Sequence, residues 1–227
     1  MPTTATLLNL ASWVLPLIFA ITLHEVAHGL VANIFGDHTA RDLGRLSLNP
    51  IRHVDPVGTL VLPMMLALGG APVFGWAKPV PVMFSALRNP RWHGVLVSAA
   101  GPLMNFALAL LSALALGLMV AAEGPVVGPI GSFVRLNLFN FILVNVSLGV
   151  FNLIPLPPLD GGGVVSGLLP PALGRRYASI GKYGLVLLLV VLVGLPWLFP
   201  KLDLLRRLIG PPIQAMVTGL LGLVGLD

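Results

Sequence analysis

The chain contains no cysteine, which excludes disulfides, cysteine-ligated zinc and a thiol nucleophile, and leaves any metal to His, Asp and Glu. Charge is almost as scarce. Only 9% of the 227 residues are Asp, Glu, Lys or Arg and 56% are hydrophobic, whereas a soluble domain carries about 25% charged residues. With a mean hydropathy of +0.96, this excludes an ordinary soluble domain and implies a polytopic membrane protein. The net charge of +5 could fit nucleic acid, but the 13 basic residues are scattered between apolar runs. They read as topology signals and contacts to anionic headgroups, so a lipid bilayer is an expected partner and nucleic acid is not. No linker, low-complexity tract or internal repeat divides the chain, which predicts one membrane domain over residues 1–227. The start lacks a basic n-region, and the first apolar run carries polar residues, so a cleaved signal peptide is not expected.

Apolar runs predict an all-α fold with five to six transmembrane helices, since a span needs about 20 residues. The runs are Leu7 to Phe35, Val57 to Phe74, Gly94 to Ala122, Ile130 to Ile154 and Tyr183 to Phe199. A short apolar tail, Ile213 to Leu226, is either an interfacial helix or a shallow sixth span. The second run holds Gly69, Gly70 and Pro72 and is not expected to cross cleanly. The third opens with Ser98-Ala99-Ala100-Gly101-Pro102, small residues that let helices approach closely. Asn105, deeper in that run, either lines a cavity or bonds to a neighbouring helix.

Within the first run stands His24-Glu25-Val26-Ala27-His28, its only ionisable group of residues. Polar side chains at bilayer depth are costly and mark function. On a helix, positions i and i+4 share one face, so the two imidazoles can converge on a tetrahedral Zn²⁺, with the Glu25 carboxylate beside its water. At 1.5 Å per residue the pentad lies about 10 to 18 Å inside the helix end near Phe35. Water must then enter through a polar cavity opening toward the loop Gly36 to Pro56.

Two histidines leave zinc short of a protein ligand. The best candidate is Asp160, in Asn152-Leu153-Ile154-Pro155-Leu156-Pro157-Pro158-Leu159-Asp160-Gly161-Gly162-Gly163. The prolines end the fourth span, and irregular backbone at membrane depth is allowed only where it lines protein or a watered cavity. An aspartate before three glycines also suits the start of a helix; beside an intramembrane histidine pair, the ligand reading is preferred. The segment 74–82, with Pro79 and Pro81, cannot be helix interior and is expected to be a short extended edge. Trp76, Lys78 and Val80 would there meet an unwound substrate peptide by backbone hydrogen bonding, or form a plain surface connection. His53 and Asp55 are a candidate gate, with His53 folding over the cleft or remaining a satisfied histidine in a proline-bounded turn. His38 and His93 read as interfacial.

These motifs resemble the site-2 protease family, the intramembrane zinc metalloproteases, in a short form without PDZ or CBS modules. The resemblance rests on H-E-V-A-H and on N-L-I-P-L-P-P-L-D-G, supported by S-A-A-G-P-L-M-N-F and G-W-A-K-P-V-P-V. It covers a core of about residues 7–167, whereas the C-terminal helices expected over 168–227 carry no recognised motif. The resemblance implies one zinc ion per chain held by His24, His28 and Asp160, with Glu25 as catalytic base and Asn152 holding the substrate backbone. It implies peptide-bond hydrolysis in or near a transmembrane segment of a membrane protein. The expected setting is a prokaryotic cell membrane with the site opening toward the cytoplasm, although basic residues alone do not set the orientation. A metal-ion carrier or a non-catalytic helix binder is the alternative. A carrier would usually show repeated halves, and a degenerate binder would be expected to lose Glu25.

Overall fold

The computed structural model describes residues 4–68, 75–122, 128–199 and 204–226. Its helices are α1 (Thr4–Ile34), α2 (Thr39–Asp42), α3 (Leu62–Leu68), α4 (Pro90–Ala122), α5 (Pro129–Asn152), α6 (Asp160–Leu168), α7 (Pro171–Ala178), α8 (Gly184–Leu189), α9 (Leu195–Leu198) and α10 (Leu204–Gly222). The architecture is all-helical, with no sheet among the described residues. Residues 11–34 of α1, all of α4 and all of α5 are long and apolar enough to cross a membrane. These are the first, third and fourth apolar runs.

The other runs form shorter pieces. The second is a π-helical turn, Pro56–Val61, continued by α3, and its residues 69–74 lie outside the described residues. The fifth is a 3₁₀ turn Ser179–Tyr183, then α8, a π-helical turn Val190–Gly194 and α9. The tail helix α10 lays Ile213, Met216, Val217 and Leu220 on a core of Ala109, Ala113 and Leu116 from α4 and Ile142 and Val146 from α5.

Helix α4 is the centre of the fold, packed against α1, α5 and α6. Alanines at its contact face let the backbones approach, as helix association in lipid requires. A buried polar bolt also joins α5 to α1, where Asn140 Nδ2 donates to Ser12 O at 2.8 Å and to Ser12 Oγ at 3.1 Å. Outward side chains such as Trp13, Leu17 and Phe19 on α1 and Leu103 and Leu111 on α4 are exposed and apolar, as a lipid-facing surface demands.

Helix ends set up the site. α1 stops in a Schellman motif, with Gly36 at φ 107° and hydrogen bonds from Gly36 N–H to Asn33 O and from Asp37 N–H to Ala32 O. That turn places Asp37 in a buried position just past the helix. α6 begins immediately after the proline turn and folds back on it. A Cβ at Gly161 would lie 2.3 Å from Leu153 O, so only glycine lets α6 sit this close and carry Asp160 toward α1.

Candidate metal centre

His24 and His28 lie one turn apart on α1, and Asp160, first residue of α6, meets them. His24 Nε2 stands 3.1 Å from His28 Nε2 and 3.1 Å from Asp160 Oδ2, and His28 Nε2 stands 3.3 Å from Asp160 Oδ1. Four ligands on a tetrahedral zinc with bonds of about 2.0–2.1 Å are spaced about 3.3 Å apart. The donor spacing thus fits the ion.

Proton placement points the same way. His24 Nδ1 is 2.6 Å from Asn105 Oδ1 and His28 Nδ1 is 2.7 Å from Val97 O, and both partners are acceptors. Each Nδ1 therefore carries the ring proton, and each Nε2 presents a lone pair. Asp160 Oδ2 is buried and receives no hydrogen bond. With both rings neutral, three lone-pair atoms are turned on one another and repel unless a cation sits among them, the condition a metal site meets.

Helix α4 closes one side of this cluster with bare backbone. A Cβ at Gly101 would lie 2.4 Å from His28 Nε2 and 2.6 Å from His24 Nε2. On another side a cavity of about 780 Å³ is bordered by Ser98, Asp160, Gly162 and Gly163 and reaches Arg91 and Arg175. Of the three converging residues, Asp160 borders this cavity.

Glu25 is half-buried beside the first histidine, and its Oε2 accepts the Val80 N–H at 2.8 Å. Val80 belongs to a non-helical strap over residues 75–83. The Trp76 N–H donates to Gly58 O at 3.1 Å, Lys78 N–H to His53 O at 2.8 Å, and Met83 N–H to Asp37 Oδ2 at 2.6 Å. Arg45 Nη2 reaches Lys78 O at 3.0 Å. The strap forms no sheet ladder; its support comes from loop carbonyls and two carboxylates.

The remaining expected site residues are placed around that strap or away from the cluster. His53 is buried in a 3₁₀ turn, Pro50–His53, with Nε2 2.9 Å from Ser47 O, and is not one of the converging ligands. Asp55 caps the next turn, its Oδ1 accepting from Val57 N–H and Gly58 N–H at 3.0 and 2.6 Å. Together these turns present the carbonyls that hold Trp76 and Lys78. The Lys78 side chain is exposed, whereas Val80 is buried. Asn152 ends α5 with its Nδ2 donating to Leu148 O at 3.0 Å, and is not among the residues bordering the cavity. Outside the spans, Asp37 has a displaced proton affinity. Burial pushes its carboxyl up, but hydrogen bonds from the Thr39 hydroxyl and N–H and from the Met83 N–H outweigh that and hold it below the usual Asp range.

Sequence reasoning left Asn105 undecided between two roles and passed over Asn145. The signal that could have flagged both is the cost of an amide inside an apolar span.

Comparison with known proteins agrees with the geometry. The profile of peptidase family M50 matches residues 12–132 and 123–195. A Bacillus subtilis protein, "Putative zinc metalloprotease YwhC", is 41% identical over 180 residues, 79% of each chain. "Putative zinc metalloprotease Rip2" of Mycobacterium tuberculosis is 34% identical over 80% of this chain, which spans 65% of that relative's length. The Mycolicibacterium smegmatis Rip2 is 33% identical over 82% of this chain and 67% of its own. No solved structure gives a significant match.

Proposed function

From its membership of peptidase family M50, the site-2 proteases, we propose that this zinc metalloprotease hydrolyses a peptide bond in or near a transmembrane segment of a membrane protein. The observation that carries the reading is the convergence of His24 Nε2, His28 Nε2 and the Asp160 carboxylate at 3.1–3.3 Å inside an apolar helix bundle. On this reading those three hold the ion. When bound, it supplies Lewis-acid polarisation of a carbonyl and acidifies a water toward neutrality.

The protein's own groups do the rest. With Oε2 occupied by the Val80 N–H, Glu25 accepts the water's proton at Oε1 and passes it to the leaving amine. A helical substrate has its carbonyls already bonded, so it must unwind before attack. The strap at Trp76, Lys78 and Val80 is the surface it would meet. Its N–H groups at 76, 78 and 80 are taken up by the protein, and Pro79 and Pro81 have none. The carbonyls of Trp76, Lys78 and Pro79 already accept from Thr59 Oγ1 and Arg45 Nη2, so a peptide added there would donate to their second lone pairs or displace those side chains. Asn152 is assigned to the substrate backbone through its Oδ1 and its second Nδ2 hydrogen, one being given to Leu148 O. His53 and Asp55 gate the cleft through the turns that anchor the strap.

Two further crossings, by the second and fifth apolar runs, and a shallow α10 would complete five or six spans, with the site opening toward the cytoplasm of a prokaryotic cell. The deciding experiment compares wild type with Glu25→Gln on single-span substrates in liposomes, measuring zinc on both. Cleavage lost with zinc retained supports the reading. Zinc absent from the wild type, with no cleavage by either protein, would leave a membrane-helix binder instead.

A further inference from the structure

A line of buried amides runs from α5 through α4 to the first histidine. Asn145 Nδ2 donates to Phe141 O at 2.8 Å, Asn105 Nδ2 donates to Asn145 Oδ1 at 2.8 Å and to Ala20 O at 3.4 Å, and Asn105 Oδ1 faces His24 Nδ1 at 2.6 Å. Both asparagines are fully buried. The line ends on backbone carbonyls of Phe141 and Ala20, which can only accept. That fixes the direction of every bond in it: turning Asn145 over would set its oxygen against Phe141 O, and turning Asn105 over would set oxygen against oxygen at both Asn145 and Ala20. Asn105 must then offer an oxygen to His24, whose ring proton is held at Nδ1 and whose lone pair is held at Nε2, toward His28 and Asp160.

We infer that Asn105 and Asn145 are positioning residues that lock His24 in the one tautomer able to bind a metal, and that they do so as a coupled pair. The inference rests on the zinc reading above and adds a determinant of metal affinity outside the ligand set. It separates these amides from Asn140, equally at home in α5 and nearly fully buried, whose Nδ2 bonds only to Ser12. Asn140 ties α5 to α1 through Ser12, away from the histidines.

The test is zinc affinity, by chelator competition on the purified full chain in detergent, together with the absorption spectrum of the cobalt-loaded protein. Loss of such an outer partner costs about 10- to 100-fold in metal affinity. Asn105→Leu should lose that much, Asn145→Leu should lose less, and the double variant should be no worse than Asn105→Leu. Asn105→Asp keeps an acceptor for His24 and, although it sets oxygen against Asn145 Oδ1 and Ala20 O, should retain more affinity than Asn105→Leu. Asn140→Leu should change neither. Equal losses from Asn105→Leu and Asn140→Leu, or additive losses at 105 and 145, would overturn the inference. If Asn105→Leu does not fold, unchanged affinity in Asn145→Leu overturns it as well. A wild-type chain that binds no zinc would instead bring down the metal centre, and this inference with it.

Discussion

Glu25 and Val80, 55 residues apart in sequence, are joined by one hydrogen bond: the Val80 N–H donates to Glu25 Oε2 at 2.8 Å. The bond ties the carboxylate of α1 to a strap whose N–H groups at Trp76, Lys78 and Met83 are also spoken for, so the carboxylate is aimed by backbone rather than by a mobile side chain. Replacing Val80 with proline removes that donor and leaves the ligands untouched. A base displaced by about 1 Å can cost on the order of 100-fold in rate. Val80→Pro should therefore lower cleavage by about 10-fold or more at unchanged zinc content, while Val80→Ala, which keeps the N–H, should lose much less. Equal rates for the two variants would mean the bond does not orient the base.

Gly101 gives a sharper steric prediction. Alanine there would put a Cβ 2.4 Å from His28 Nε2, about 1 Å inside ordinary contact, and α4 is held by α1, α5, α6 and α10. Metal sites tolerate errors of only about 0.2 Å in ligand distances. Gly101→Ala should lose most of its zinc and its cleavage, with little change in helix content by circular dichroism. Zinc bound at wild-type stoichiometry in this variant would show that α4 does not wall the site where the structure places it.

The pentad and Asp160 were legible in the sequence because helical spacing sets what i and i+4 can share, and because a proline run followed by glycine permits few backbones. The three long spans were legible for the same reason: an unbroken apolar run has one solution in lipid. Contacts made by loops were not. Nothing in spacing pairs Glu25 with Val80 or Asn105 with Asn145, since those contacts depend on how α1, α4 and α5 are rotated against one another. His53 was weighed as a surface or gating residue, yet it is buried with its Nε2 on Ser47 O; a histidine among prolines carries no sign of which face its turn will present. The second and fifth apolar runs show the limit of hydropathy, which counts apolar residues but does not say that Val190–Gly194 will take a π-helical turn between short helices.

The gate assigned to His53 makes a prediction of opposite sign to ordinary site damage. Its carbonyl anchors the Lys78 N–H at 2.8 Å, and its ring braces the same turn through Ser47. His53→Ala keeps the carbonyl but loosens the brace, and the strap above Glu25 should open more readily. Cleavage of a single-span substrate should rise by about two- to fivefold, the effect of less than ~1 kcal/mol on an opening equilibrium, with zinc content unchanged. A rate and zinc content both equal to wild type would remove His53 from the gate.

Asp37 predicts a pH dependence located at the far end of the strap. Its carboxyl is held below the usual Asp range by Thr39 and Met83 despite burial, so the folded protein favours the ionised form more than the unfolded chain does. Such a group contributes stability that is complete above the unfolded value, about 3.9, and is lost as pH falls through the lowered folded value. Anchoring of the strap should therefore be flat between about pH 5 and 8 and weaken only below about pH 4. Asparagine at this position keeps the acceptor for Thr39 but turns an NH₂ toward the Met83 N–H, donor against donor. Loss of a hydrogen bond to a charged group is worth about 1.5–3 kcal/mol, so hydrogen exchange at Met83 should quicken by about 10-fold or more in Asp37→Asn at pH 7. Exchange there should also lose its acid dependence in the variant. Retained protection at Met83, or the same acid limb in both proteins, would show that the strap is fastened by its other contacts, at Glu25, His53 and Gly58, and that Asp37 merely fills the turn after α1.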